Sequence, residues 1–510
     1  MAKYNENGGI IGPATVPTGN FGSAPGVWKL AEVEKYIKEG IWPVATTGFQ
    51  VANSLRFDDG SSDNLTRTPS VTGSQTTHTF SAWIKRASLS NYRFLSAYFG
   101  NLARYTTYYF ENDSLSAFSG NYTTGGSSTT SFHKISNAVF RDVSAWYHIV
   151  IAVDTTQATA SDRVKIYVNN EQLTSFSTDT NPSLNDTNYF NVTTTTMEIG
   201  SYNNTNYFDG YMAECVLIDG QQLTPSSFGE TNSTTGNWIP KDVSGLTFGT
   251  NGFHLPFQNA SALGQDDSGN GNNFTVNNLT SIDQCVDTCT NNFATWNPLN
   301  TYPANKPVLS QGNLQVVTVN ADPGYWGASS TLGVSQGKWY WEVKPTNSTS
   351  GSPFLLGVSH QPEEMARNGA TGASQYTASD WGYYGASGNI YNNSTNSSYG
   401  NTYTTNDIIG VALDLDNSKL YFSKNGIFQN SGDPTSGSTG TGALSITSGE
   451  TYFAFVSDLG GAVCTYQANF GNAPFTVSSG NTDFSGLGNF EYEVPSGYRA
   501  LCTKNIGLVG

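Results

Sequence analysis

Asp407-Ile-Ile-Gly-Val-Ala-Leu-Asp414, followed by Lys419-Leu-Tyr-Phe-Ser-Lys-Asn-Gly-Ile-Phe428, decides the architecture of this chain. It reads as an apolar strand leading into a hairpin, with Asn425-Gly426 supplying the two positive-φ residues of a tight type I′ turn. The same order occurs earlier. Ile149-Val150-Ile151-Ala152-Val153 is an apolar strand, Asp154 and a polar gap follow, and Val164-Lys-Ile-Tyr-Val168 runs into Asn169-Asn170. The recurrence suggests two copies of one jelly-roll architecture, diverged beyond obvious identity.

Outward from these hairpins the pattern stays β. Thr79-Phe-Ser-Ala-Trp-Ile-Lys85, Trp146-Tyr-His-Ile-Val-Ile-Ala-Val153 and Phe208 to Asp219 read as strands of a first domain, and Gly337-Lys-Trp-Tyr-Trp-Glu-Val343, Phe354 to Val358, Tyr452 to Val456 and Cys464 to Phe470 as strands of a second. Clusters of Gly, Asn, Asp and Ser separate them, as in an all-β sandwich. The expected fold is all-β: two concanavalin-like jelly-roll sandwiches in tandem behind a short N-terminal arm and helix. The expected segments are an arm and helix at 1–45, sandwiches at 46–235 and 310–478, a connecting segment at 236–309 and a C-terminal tail at 479–510. The helix rests on Leu30, Val33 and Ile37 sharing one face of a 3.6-residue period, with Gly40 to end it and Trp28 and Trp42 flanking it. Two readings of it stay open: it packs on the first sandwich, or it docks the protein into a larger assembly through these five residues.

Composition narrows the function. The formal net charge is −16, with 12% charged and 13% aromatic residues. The acidic balance and the lack of a Lys/Arg cluster argue against nucleic-acid binding. No apolar run approaches the ~18 residues of a bilayer span. The N-terminus lacks a basic region followed by an apolar stretch, so no secretory leader is expected. Five scattered cysteines do not make a disulfide framework, and Cys285-Val-Asp-Thr-Cys289 lacks the second pair that a zinc site requires. No heptad stretch is present, so an oligomer has to form through sandwich faces or the arm.

Several motifs carry resemblances. Phe80-Ser-Ala-Trp-Ile-Lys, Ala145-Trp-Tyr-His-Ile-Val, Val164-Lys-Ile-Tyr-Val-Asn and Phe208-Asp-Gly-Tyr-Met-Ala-Glu resemble a laminin-G-like jelly roll of the concanavalin A type. Gly337-Lys-Trp-Tyr-Trp-Glu-Val, Ile409-Gly-Val-Ala-Leu-Asp-Leu-Asp and Leu420-Tyr-Phe-Ser-Lys-Asn-Gly resemble a SPRY domain. Gly26-Val-Trp-Lys-Leu, Gly220 to Glu230, Asp267 to Phe274 and Asn291 to Pro298 are similar to segments of fibre and other virion proteins in tailed phages of marine bacteria and cyanobacteria. The resemblance implies a bacteriophage particle protein, assembled in the host cytoplasm and placed on the tail or particle surface. Its partners would be other virion proteins through the N-terminal segment and host surface polysaccharide or lipopolysaccharide, with homo-oligomerisation. Two roles remain open: a tail fibre or appendage that attaches to host glycans, and a capsid-decorating or connector protein that contacts only virion proteins.

Concanavalin-type folds also host glycosidases, which need two carboxylates about 5 Å or about 6.5–9.5 Å apart. No Glu-x-Asp-x-x-Glu triplet occurs, Glu214 and Glu342 read as strand carboxylates, and no enzyme is expected. His78, His133, His148, His254 and His360 show no metal-ligand spacing, and His148 reads as a satisfied strand histidine. The expected ligand contacts are Tyr376, Asp380, Trp381, Tyr383, Tyr384, Tyr391 and Tyr399, where rings can stack on a sugar while Asn and Asp bind its hydroxyls; Trp381-Gly-Tyr-Tyr384 also reads as core strand. The loop from Tyr202 to Phe208 is the second candidate. No cofactor is expected. Laminin-G-like folds hold calcium in some cases, with Asp154, Asp162 and Asp209 as conceivable ligands that no motif selects.

Overall fold

A computed structural model describes residues 3–4, 10–11, 35, 48–99, 104–121, 129–233, 235–299, 306–319, 327–349, 351–361, 377–458 and 462–509. Trp28, Leu30, Val33, Ile37 and Trp42 lie outside the described residues; within 26–47, Lys35 is described, as helical and exposed. The chain is nearly all-β and divides into two compact units. One comprises Gly48–Asn292 with Leu309–Asn313; the other includes Phe293–Val308 and Leu314–Gly510. No helix among the described residues is long and apolar enough to cross a membrane.

Each unit is built from two sheets, antiparallel apart from one short parallel pair in the second. In the first, one sheet runs Glu171–Gln172, Val164–Val168, Tyr147–Asp154, Thr77–Arg86, Gly210–Asp219, Ser54–Phe57, and the other runs Phe176–Thr180, Thr129–Val139, Ser114–Asn121, Arg104–Glu111, Arg93–Phe99, Thr195–Ile199, Asn64–Arg67. Phe80, Ile84, Ile149 and Ile151 from one sheet and Phe94, Leu95, Tyr108, Leu115 and Met197 from the other fill a single core. In the second unit, Gln315–Val317, Cys464–Asn469, Lys338–Ser348, Ile409–Asp414, Lys419–Lys424 and Ile427–Phe428 form one sheet, and Ala328–Val334, Tyr452–Asp458, Phe354–Ser359, Trp381–Tyr384, Asn389–Asn392 and Thr395–Ser398 the other. Tyr383 against Phe422 (5.3 Å between ring centroids) and Phe354 against Tyr466 (5.6 Å) join them.

The repeat seen in the sequence is also a repeat of hydrogen bonding. Asn169 and Asn170 have φ of 48° and 72°, and Asn425 and Gly426 of 49° and 80°, the signature of type I′ turns. The His148 N–H donates to Asn169 Oδ1 and the Ile408 N–H to Asn425 Oδ1, each at 2.8 Å. In both units the hairpin pairs with the apolar strand, which pairs with the aromatic strand, Thr77–Arg86 or Lys338–Ser348.

Those aromatic strands are buried on both faces, and this changes the expected boundaries. Phe80, Ala82 and Ile84 face the first core, while Ser81, Trp83 and Lys85 face outward and are 2–5% exposed. The cover over the outward face comes from beyond residue 235. The Trp238 N–H donates to His148 Nδ1 at 2.9 Å, and Lys85 Nζ pairs with Asp287 at 2.9 Å. Phe253–Leu255, Thr275–Asn277 and Gln284–Cys285 also pair with strands of this unit. Residues 236–292 are therefore part of the first unit rather than a connecting segment, because they bury what would otherwise be an apolar sheet face in water.

The second unit repeats the arrangement. Tyr340 packs edge-on to Phe490 at 5.3 Å, and Glu342 Oε1 and Oε2 accept the Tyr492 and Glu491 N–H groups at 2.8 and 3.0 Å. Arg499–Ala500 adds in parallel to Trp339 and Tyr340. Residues 479–509 are thus cover for the sheet, not a tail. Trp296 belongs to this unit as well, fully buried and edge-on to Phe470 at 5.3 Å. Gly471, with φ 118°, has the Phe293 ring where a Cβ would stand.

Candidate functional site

The expected ligand residues of the second unit separate into different roles. Tyr376 lies outside the described residues. Tyr383 is 0% and Tyr399 7% exposed: an inward-facing strand position puts the Tyr383 ring on Phe422, Tyr399, just past the strand Thr395–Ser398, meets the same ring, and the Tyr399 hydroxyl accepts the Phe422 N–H at 3.1 Å. Asp380 is buried and accepts hydrogen bonds from Ser359 Oγ, the Thr377 N–H and Thr377 Oγ1 at 2.7–2.9 Å, with His360 Nδ1 at 3.3 Å. These three are core and loop-anchoring residues, a correction to their reading as sugar contacts. Trp381 is half-buried, with its indole nitrogen enclosed. Tyr384 and Tyr391 stay on the outward face, edge-to-face at 5.6 Å and packed on Leu355 and Phe455.

A longer aromatic row lies on the first unit. Pleating sends Leu95, Ala97, Tyr108, Phe110, Leu115 and Ala117 into the core, so the register places Tyr98 beside Tyr105, Thr107 beside Phe118, and Phe118 beside His133 on the outward face. The rings form a chain across four strands and one loop. Tyr98 meets Tyr202 at 5.8 Å, Tyr202 meets Tyr105 at 4.9 Å, Tyr105 meets Phe118 at 4.9 Å, and Phe118 meets His133 at 5.3 Å. Gly120 makes room for this, since a Cβ there would stand 2.7 Å from the Phe118 ring. The Arg93 guanidinium lies over Tyr109 at 4.7 Å and Tyr202 at 5.5 Å.

Polar groups sit among the rings. Glu198, fully buried, accepts from the Tyr98 hydroxyl at 3.0 Å and Ser201 Oγ at 2.6 Å. Arg93 Nε and His133 Nε2 are enclosed without a hydrogen-bond partner. Burial lowers the His133 ring below the ordinary imidazole range, so it stands neutral at pH 7 and can donate or accept. Half-exposed rings in such a row offer faces on which a sugar ring can stack. The Tyr202 loop, the second candidate in the sequence, supplies one ring of this row. Tyr98, Tyr105 and Phe118 were not singled out, although the alternation Tyr105-Thr-Thr107-Tyr-Tyr109 is the signal that marks an outward aromatic stripe.

The carboxylates and histidines considered for catalysis are engaged structurally. Glu214 sits at a β-bulge with φ 49° and pairs with His254 at 2.8 Å. Glu342 carries the bonds already described. His148 is sandwiched between Ser81 Oγ at 2.9 Å and the Trp238 N–H, as a satisfied strand histidine. For a cation, Asp154 is taken up by Thr77, Thr156 and Gln157, and Asp162 pairs with Lys165 at 3.2 Å. Among the described residues, the acidic oxygens that converge belong to Asp58, Asp59 and Asp209.

Comparison with known proteins agrees with this architecture. Residues 59–227 match the concanavalin A-like lectin/glucanases superfamily in its laminin-G form, and residues 338–462 match the SPRY domain. The chain therefore carries a laminin-G-like domain followed by a SPRY domain. A Ran-binding proteins 9/10 homolog of Drosophila melanogaster is 29% identical over 125 residues, 23% of this chain, and the match spans 12% of that protein's length. Among solved structures, the SPRY domain of human HERC1 is 17% identical, covering 34% of this chain and 96% of its own, with a TM-score of 0.26. A heptameric SAP-like pentraxin from Limulus polyphemus is 14% identical, covering 35% and 80%, with a TM-score of 0.26.

Proposed function

We propose that this chain is a non-enzymatic binding protein of a bacteriophage particle, an appendage or tail-fibre component whose first unit attaches to host surface glycan. The observation that carries the glycan reading is the row Tyr98, Tyr202, Tyr105, Phe118 and His133, in which Tyr98 is buried and the other four rings are half-buried. Two lectin-like sandwiches suit binding, and the phage-like segments of the sequence point to the particle as the place. The SPRY unit offers Tyr384 and Tyr391 as a smaller, second contact.

Glycan-array screening of the whole chain, followed by calorimetry on any hit, tests the reading. Tyr105→Ala and Phe118→Ala each remove one stacking ring worth about 1 kcal/mol, so each should weaken binding roughly five- to tenfold with little change in melting temperature. Tyr384→Ala should change it less. No binding to any surface polysaccharide, together with cryo-electron microscopy placing the chain flat between capsid subunits, would replace attachment with decoration.

A further inference from the structure

Lys85 stands on the outward face of the strand Thr77–Arg86, in register with Tyr211 of Gly210–Asp219. The segment after Gln284–Cys285 turns back over it. Thr288 and Asn291 exchange both backbone hydrogen bonds at 3.0 Å, so the residues flanking them, Asp287 and Asn292, come side by side. Lys85 Nζ donates to Asp287 Oδ2 at 2.9 Å and to Asn292 Oδ1 at 2.6 Å. The Trp146 N–H donates to the other Asp287 oxygen at 3.3 Å, and Asn292 Nδ2 donates to the Ser144 carbonyl at 2.5 Å.

The three groups are held away from bulk water. Lys85 and Asp287 are 2% and 0% exposed, Nζ lies 5.3 Å from the centre of the buried Tyr211 ring, and Asn292 is half-buried, so the cluster opens to solvent at its amide. A C=O bond is about 1.23 Å long, which puts the Asn292 amide carbon within about 3.8 Å of the lysine nitrogen. That is close to the ~3–3.5 Å of a near-attack arrangement. Desolvating an ion pair is costly, and converting both charges to neutral groups removes that cost. An amine, an amide carbon and a carboxylate in mutual contact are the two reactants and the proton carrier of a transamidation.

We propose that Lys85 and Asn292 are joined by an intramolecular isopeptide bond that the folded chain forms on itself, with Asp287 carrying the protons. The Lys85 ammonium gives one proton to Asp287 Oδ2, and the Nζ lone pair attacks Asn292 Cγ to form the new C–N bond. Asp287 passes its proton to Asn292 Nδ2 and takes a second one from Nζ. The Cγ–Nδ2 bond then breaks, its electron pair leaves with ammonia, and the ammonia departs on the half-exposed side. Lys85 Nζ keeps one hydrogen as an amide, Asp287 ends protonated, and no co-reactant is consumed. The link fastens the covering segment 236–292 to the central strand. It does not depend on the glycan reading, because neither its residues nor its test involve the aromatic row.

The test is intact-mass and tandem mass spectrometry of the full chain. The parent should weigh about 17 Da less than its sequence, the mass of one ammonia, and its digest should contain a branched peptide joining the segments that carry Lys85 and Asn292. Asn292→Ala keeps the Lys85–Asp287 pair and should show the full sequence mass with no branched peptide. It should also melt roughly 10 °C below the parent, because the link closes a loop spanning 207 positions of the unfolded chain. Asp287→Asn should leave Lys85 and Asn292 unjoined. Should either variant fail to fold, the parent's own digest decides the matter. Full sequence mass in the parent, or an ammonia loss that maps to a succinimide at Asn425-Gly426 with no branched peptide, would overturn the bond. A branched peptide that persists in Asp287→Asn would overturn the role given to Asp287.

Discussion

Deleting residues 479–510 is expected to leave the SPRY unit unable to fold, while the laminin-G-like unit still melts cooperatively. Phe490, Tyr498, Leu501 and Cys502 are at most 1% exposed. Burial of a large apolar side chain is worth about 1.5–3 kcal/mol, so the four together rival the ~5–15 kcal/mol that holds a whole domain. The deletion also uncovers the outward face of Lys338–Ser348. A single substitution isolates the polar half of this effect. Glu342 is buried, and burial raises its carboxyl above the ordinary range even though the Tyr492 and Glu491 N–H groups and Asn469 Nδ2 all donate to it and pull the other way. Glu342→Ala leaves those donors buried without an acceptor, and a loss of about 3–5 kcal/mol is expected. Urea unfolding followed by tryptophan fluorescence measures it, with limited proteolysis showing cleavage beyond residue 478. Near-parental stability of either protein would mean that this segment does not cover the sheet.

Acid should act on the first unit through its two buried histidines. His78 Nδ1 lies 3.3 Å from Asn188 Nδ2 and its Nε2 2.6 Å from the Tyr108 hydroxyl, while His148 Nδ1 accepts the Trp238 N–H. Burial brings both rings down to about 3. A proton on Nδ1 would also displace the donor already there. Unfolded, each ring takes up its proton near 6.5. Between pH 6.5 and 3 the unfolded chain therefore binds more protons, and the contribution, full above 6.5, falls with acid by up to about 1.4 kcal/mol per pH unit per ring. Asp63, which burial first pushes up to about 7, contributes with the opposite sign over an overlapping range. The decisive measurement is thus a difference: His148→Gln should lose about 2–3 kcal/mol less than the parent between pH 6.5 and 4.5. Equal pH slopes for the two proteins would show that His148 is not held neutral.

What local pattern could specify, it specified. Apolar strands before Asn169-Asn170 and Asn425-Gly426 determined two hairpins, because a type I′ turn needs positive φ at two adjacent residues and leaves few alternatives. Alternation in Thr79 to Lys85 and aromatic density in Lys338 to Val343 placed the central strands, and the recurrence of one order announced two related sandwiches. The irregular segments at 236–292 and 479–509 were unreadable as cover, since their contacts with Lys85, His148, Tyr340 and Glu342 span 90 residues or more and leave no periodic trace. The same limit applied to the sites. Tyr383 and Tyr399 look like neighbours of Tyr384 and Tyr391 in sequence, but pleating turns Tyr383 into the core and Tyr384 and Tyr391 outward, while Tyr399 is buried just past its strand. Asp58 and Asp209 stand 151 positions apart in the numbering and meet only because Gly210 pairs with Phe57. Strand identity is a property of short stretches; which side chains share a face, and which carboxylates share a space, is decided by register between strands far apart in the chain.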